Sequence, residues 1–320
     1  MPFRDSARTL NTMSTDTESH APARLHPDEV HTDTSLVQRL LATQFPQWAP
    51  LPVRVFLSSG SDHVLYRLGT DLAARLPRLA SAAGQTEKDL HWLPRLAPQL
   101  PLSVPEPLAV GQPGEGYPWT WGVYRWLPGE PAFRERISSL SQAAGDLAGF
   151  IRALQVADPT DGPLADPESL ERGAPLRNRD AWTRENISRL PDDLDRGALV
   201  AAWEAAVQAP AWSGAPVWLH GDLQSGNLLA GEGRLSAVID FGSLRQGDPA
   251  CDLAVAWNWL DAPSRAVFRE ALDVDPDTWA RGRGWALSIA VAEIPYYLHT
   301  NPTMVERSRY AVSQVLSEHT

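Results

Sequence analysis

Three polar side chains in the last third of the chain stand at spacings that suit the transfer of a phosphoryl group. The run Leu219-His220-Gly221-Asp222-Leu223-Gln224-Ser225-Gly226-Asn227 is followed by Ile239-Asp240-Phe241-Gly242. Asp222 offers a carboxylate that can take the proton of an attacking hydroxyl. Asn227 and Asp240 offer an amide oxygen and a carboxylate. Magnesium takes oxygen ligands and needs few of them from protein. Moving a γ-phosphate is mostly a matter of positioning and of neutralising charge, so one base and two oxygen ligands are a sufficient set.

The intervening chain reads as the device that holds these groups together. Asn227-Leu228-Leu229-Ala230 is a short apolar strand, Gly231-Glu232-Gly233 a turn, and Leu235 to Asp240 a second strand that ends in the carboxylate. Val217-Trp218-Leu219 leads into the site. Asp248-Pro249-Ala250-Cys251-Asp252 leaves it as the start of a helix, with Asp248 able to cap and proline in the first turn. Taken singly, each polar triplet is equally a loop or a turn; their order and separation distinguish them.

His220-Gly221-Asp222-x-x-x-x-Asn227, Ile239-Asp240-Phe241-Gly242 and Gly247-Asp248-Pro249-x-x-Asp252-Leu253-Ala254 together resemble the aminoglycoside phosphotransferase family. These are small-molecule kinases on a protein-kinase-like fold. The resemblance reaches upstream to Gly60-Ser61-Asp62, Arg75-Leu76-Pro77 and the stretch from Trp119 to Trp126, and covers most of residues 50 to 300. It implies an α+β, bilobal fold: an N-terminal lobe of antiparallel sheet plus helix, and a mainly helical C-terminal lobe. It further implies ATP or GTP as phosphate donor with Mg2+, Asp222 as catalytic base, and Asn227 and Asp240 as metal ligands. His220, Asp248 and Asp252 are then structural supports of the site. The implied acceptor is a hydroxyl of an aminoglycoside-like antibiotic, with a role in antibiotic resistance. A macrolide, or a metabolite such as an amino sugar or a homoserine- or choline-type alcohol, is the alternative.

Residues 1–32 are rich in Ser, Thr, His, Asp and Pro and read as a disordered tail, within which Met13 is a second possible start. Residues 33–127 form the expected nucleotide-binding lobe, and 128–320 the catalytic and substrate-binding lobe. Asp33 or Thr34 can cap a first helix carrying Leu36, Leu40 and Leu41 on one face. Strands over 53–57 and 63–68 flank a turn whose tip, Ser59, Gly60 and Ser61, can lay backbone N–H groups over phosphates. An ordinary hairpin is the equal alternative. A third strand over 72–76 carries Arg75, where by resemblance the fold keeps a lysine for the α- and β-phosphates. Arginine retains the charge but is wider, and the Arg75-Leu76-Pro77-Arg78 pattern is similar to that of the macrolide-kinase branch. An exposed strand arginine is the plain reading.

A helix over 86–96 carries Leu90, Leu93, Leu96 and Ala97 as apolar positions. By resemblance it supplies an acid to pair Arg75: Asp89 by spacing, with Glu87 as competitor. Arg125, Trp126 and Leu127 form the expected hinge, whose backbone would meet the nucleobase. Trp119 and Trp121 read as packing residues. Further helices are expected over 139–154, 180–190, 194–209, 264–272, 277–300 and 302–317, with a Pro-, Gly- and Asp-rich loop over 158–179. By resemblance the C-terminal helices build the acceptor pocket, with Asp180, Asp261, Glu293 and Tyr296 as candidates. Glu293 is a charge among Ile289, Ala290, Val291, Ala292 and Ile294, so a substrate amine or an arginine such as Arg281 or Arg283 should meet it.

The chain has a net charge of -11. That opposes a nucleic-acid surface and suits a cationic acceptor in an acidic cleft. One cysteine, Cys251, excludes an internal disulfide framework and reads as a small core residue. No apolar run reaches the roughly 18 residues of a membrane span, and the N-terminus lacks the apolar core of a signal peptide. The expected partners are therefore a nucleotide and a small molecule, without nucleic acid or membrane, in the cytoplasm. Three other classes compete. A protein kinase needs a long segment between Gly242 and Gly247-Asp248-Pro249, where only four residues stand. A non-catalytic nucleotide-binding protein draws support from Arg75 alone. A metal hydrolase built on His220 lacks further histidines nearby in sequence.

Overall fold

The computed structural model describes residues 29–56 and 62–319. The chain resolves into two compact units. Among the described residues, one comprises those up to Ala83 together with Gly111–Val123; the other comprises Gly84–Val110 together with those from Tyr124 onward.

The first unit begins with α1 (Thr34–Gln44). Asp33 caps it, its carboxylate accepting from the Leu36 amide at 2.7 Å, and Leu36, Val37, Leu40 and Leu41 face inward. Strands β1 (Val53–Phe56), β2 (His63–Leu68) and β3 (Leu72–Pro77) form an antiparallel meander, Val53 opposite Leu68 and Leu65 opposite Arg75. With β4 (Pro107–Gly111) and β5 (Trp121–Arg125) the sheet order is β1-β2-β3-β5-β4. Trp121 is fully buried, with Phe45 edge-on at 5.4 Å. Gly111 makes room for it: a Cβ there would lie 2.1 Å from the indole. Of the tail expected over 1–32, residues 29–32 are tied to this sheet. Val30 donates its amide to the Arg78 carbonyl, Glu29 pairs with Arg78 at 3.2 Å, and Tyr66 donates its hydroxyl to buried Thr32. The tip residues Ser59, Gly60 and Ser61 lie outside the described residues.

The second unit is mainly helical. Helix α2 (Gln85–Leu96), expected in the first lobe, belongs to this unit. It buries Trp92, Leu93 and Leu96, with Trp92 edge-on to Trp218 at 4.9 Å. Leu90, expected on the apolar face, is exposed, because Asp89 takes the inward position and accepts from the Tyr124 hydroxyl at 2.9 Å. After β6 (Glu130–Pro131) come α3 (Leu140–Gln155, capped by Ser139), α4 (Asp180–Ser188) and α5 (Arg196–Val207). Next come β7 (Val217–Leu219), the hairpin β8 (Leu228–Gly231) and β9 (Arg234–Val238), and β10 (Arg245–Gly247). The chain ends in α6 (Val255–Asn258), α7 (Ala262–Leu272), α8 (Pro276–Tyr297) and α9 (Pro302–His319). One apolar core runs through the unit, from Leu147 and Ile151 of α3 to Trp203, Trp257, Trp285 and Val315. No described helix is long and apolar enough to cross a membrane.

Candidate active site

The hairpin does what its sequence promised. Leu228 pairs with Val238, and one step further the Ile239 amide donates to the Asn227 carbonyl at 2.9 Å. Asn227 and Asp240 therefore leave the open end of the same two strands. Glu232 and Gly233 close the other end at positive φ, as a tight hairpin turn demands. Asp240 is itself left-handed, with φ +65°.

Asp222 is held from both sides. The Asn227 amide nitrogen donates to the Asp222 carbonyl at 2.8 Å and to Asp222 Oδ2 at 2.9 Å. That commits Asn227 Nδ2 to the carboxylate and leaves Oδ1 as the atom an oxygen-seeking cation would take. Arg172 Nη2 stands 3.7 Å from Asp222 Oδ1, too far for a hydrogen bond and close enough for an ion pair. One carboxylate oxygen of Asp222 is thus fixed by Asn227, while the other faces Arg172 without a hydrogen bond to it.

The loop carrying Asp222 is anchored from below. Asp252, nearly fully buried, accepts from the amides of His220 at 2.8 Å and Gly221 at 2.7 Å. Burial pushes its carboxyl up, while His220 and the two amides pull it back. His220 spends both ring nitrogens on backbone: Nε2 with the Ile239 carbonyl at 3.0 Å, and Nδ1 accepting from the Asp222 amide at 3.2 Å. That leaves no lone pair for a metal, which removes the hydrolase reading. Gly221 has φ +84°, and a Cβ there would meet Ser243 at 2.8 Å. Asp248 caps the turn after β10 and is clamped by Arg281, Nε to Oδ2 at 2.8 Å. The chain after Gly242 returns at once to the sheet, Arg245 opposite Leu219, so no long segment hangs there.

A cleft opens beside Asp222. Its walls are Gly221 to Gln224, Cys251, Ala254 and Asn258 on one side. Ala286, Ile289, Ala290 and Glu293 of α8, with Arg307, Ser308 and Ala311 of α9, form the other. Glu293 meets neither Arg281 nor Arg283. Arg307 donates to both its oxygens at 2.8 Å, and the Ser308 hydroxyl donates at 2.6 Å. The cleft expected to be acidic is charge-balanced: Glu293 is offset by Arg307, Asp222 by Arg172. The other acceptor candidates lie off its walls. Asp180 receives Arg184 and the Trp203 indole N–H, Asp261 caps α7 through the Ser264 amide, and Tyr296 is exposed against Tyr297.

Of the nucleotide-side candidates, Arg75 is half-buried in β3 of the first unit. Glu87 faces solvent, whereas Asp89 is buried. Arg125 pairs with Glu106 at 2.6 Å, and Trp126 and Leu127 are half-buried. Arg172, Arg307, Ser308 and Gln85, whose amide approaches Asp240 Oδ1 at 3.5 Å, escaped the sequence reading. They sit in loops or on helix faces that only tertiary packing brings here.

A sequence model of the phosphotransferase enzyme family (APH) matches residues 53–285. The chain belongs to this family. It is a small-molecule kinase, and its fold is the kinase-like one of the solved phosphotransferases. The GDP and kanamycin complex of APH(2")-IIia superposes with TM-score 0.69 at 17% identity, covering 89% of this chain and 99% of that one. Macrolide 2'-phosphotransferase type I gives 0.58 at 19%, covering 90% and 98%. Macrolide 2'-phosphotransferase MphH from Brachybacterium faecium gives 0.56 at 22%, covering 86% and 97%. No curated protein sequence matches the chain.

Proposed function

We propose that this kinase moves the γ-phosphate of ATP or GTP to a hydroxyl of a weakly charged, partly apolar small molecule of the macrolide type. The observation that carries the acceptor class is the charge balance beside the base. A polycation gains from several unpaired carboxylates focused in a cleft. Here Glu293 is already satisfied by Arg307 and Ser308, and beyond Asp222 the rest of the wall joins the apolar Leu223, Ala254, Ala286, Ile289, Ala290 and Ala311 to the uncharged Gly221, Gln224, Cys251 and Asn258.

Asp222 takes the proton of the acceptor hydroxyl as its oxygen bonds the γ-phosphorus and the bridge to the β-phosphate breaks, the nucleoside diphosphate leaving with that bridging oxygen. Asn227 holds one carboxylate oxygen so that the other faces the acceptor, and Arg172 stands beside that second oxygen at 3.7 Å. Asn227 Oδ1 and the Asp240 carboxylate would hold magnesium, which when bound offsets the charge of the nucleotide phosphates. On the nucleotide side, Arg75 stands in for the usual lysine. Support for a nucleoside triphosphate donor comes from the GDP-bound and ATP-bound structures among those similar to this chain.

A coupled nucleotide-consumption assay over macrolides and aminoglycosides, with ATP and GTP separately, tests this reading. Phosphorylation of a macrolide that Asp222→Asn abolishes is the expected result. Turnover of kanamycin-type polycations with macrolides inert would overturn the acceptor class and leave the kinase chemistry standing.

A further inference from the structure

The chain holds 27 arginines and a single lysine, Lys88. That lysine lies in the first turns of α2, directly before Asp89, and its ammonium donates to the Gly242 carbonyl at 3.1 Å. Gln85, one turn earlier on the same helix, reaches Asp240 Oδ1 at 3.5 Å, and a Cβ on Gly242 would lie 2.9 Å from the Gln85 amide. Two side chains of one helix face thus bracket the Asp240-Phe241-Gly242 segment. The segment has reason to need a bracket, because Asp240 is left-handed and its neighbours form one tight turn.

We propose that Lys88 is a positioning residue of the phosphoryl-transfer site: by tying the Gly242 carbonyl to α2 it fixes Asp240 where the magnesium-bound nucleotide needs its carboxylate. This rests on the reading of Asp240 as a metal ligand given above. The chemistry of the side chain suits the task. A compact ammonium on a flexible stem can serve one carbonyl in a narrow space, where a planar guanidinium fork would need room and a second acceptor. Lys88 is half-buried, and that burial pushes the ammonium down to about 8, helped by the charge of Arg245 and opposed by Asp89 and Glu171. Arg245 is itself paired with Glu171, which keeps its charge local.

The test separates metal from nucleotide. Affinity for a fluorescent ATP analogue is measured in the full-length protein, with magnesium titrated and with magnesium chelated. Wild type is compared with Lys88→Met, which keeps the stem and loses the donor, and with Asp240→Asn. Loss of one hydrogen bond at the clasp should raise the apparent magnesium constant by up to about tenfold and leave metal-free binding unchanged. A merely structural role would weaken both. Because the lysine is unique, acetylation with a succinimidyl ester, mapped by mass spectrometry apart from the α-amino group, gives a second reading without mutation. Bound nucleotide and magnesium should protect Lys88, and acetylated protein should show the same raised magnesium constant. If Asp240→Asn shifts the magnesium constant while Lys88→Met and acetylation leave it within twofold, the positioning role is overturned. If Asp240→Asn shifts nothing, the metal assignment falls and the positioning role falls with it.

Discussion

Asp240 carries two demands at once, a charge and a left-handed backbone. Non-glycine residues rarely hold φ near +65°, and Asp and Asn are among the few that do. Asp240→Asn should therefore keep the fold, whereas Asp240→Ala adds roughly 1 kcal/mol of strain to the loss of charge; thermal melts of the two variants should separate by that difference. At Asp222 the effect should be catalytic. Asp222→Asn should lower kcat by roughly 10²- to 10⁴-fold with nucleotide KM little changed, and near-wild-type turnover would remove it as base. Cys251 supplies the pH signature. It is buried, and burial pushes its thiol up to about 12, with Asp252 adding and Arg172 opposing. The folded value lies above the unfolded one near 9, so its contribution to stability is complete below pH 9 and fades as pH climbs towards 12. Urea midpoints of wild type and Cys251→Ala should draw apart or together only across that window. Iodoacetamide at pH 8 should label the thiol only after unfolding.

At the scale of elements, the β8–β9 hairpin frames the candidate site. Its open end delivers Asn227 and Asp240, and its closed end depends on Gly233, at φ +78° beside Ser138. Gly233→Ala should cost about 1–2 kcal/mol and weaken magnesium-dependent nucleotide binding although it touches no ligand; unchanged binding would mean the turn does not set the register. This element was legible from sequence because everything it needs is local: alternation, a glycine turn, and polar ends within a few residues. The caps at Asp33 and Asp248 were legible for the same reason. Arg172 was not, since its loop carries no periodicity and only folding brings it to Asp222. Helix α2 was found, but its face was misjudged at Leu90. An apolar count treats Asp89 as solvent-facing, whereas the Tyr124 hydroxyl makes its burial affordable. Glu293 stood out as a charge among aliphatics, yet its partner, fourteen residues on in α9, required the α8–α9 packing to be known.

At the scale of the second unit, α9 locks the core. Glu318 accepts from the indole N–H groups of Trp257 and Trp279 at 2.7 and 2.8 Å and pairs with buried Arg265 at 3.1 Å. Glu318→Ala strands two buried donors and a cation at once. It should cost about 2–4 kcal/mol, read as a lower urea midpoint with a red shift of tryptophan emission. Glu318→Gln, which keeps an acceptor, should cost less.

The bridge between Glu293 and Arg307 sets how this cleft could change over generations. Each partner is less than one-fifth exposed, so altering one alone leaves the other in the wall without its countercharge. Drift at either position is penalised until its mate has changed, and the two should be inherited as a pair. A lineage acquiring a cationic acceptor would have to lose Arg307 while keeping Glu293, passing through a destabilised ancestor unless the new substrate, or a compensating substitution in α8, arrived with the first mutation.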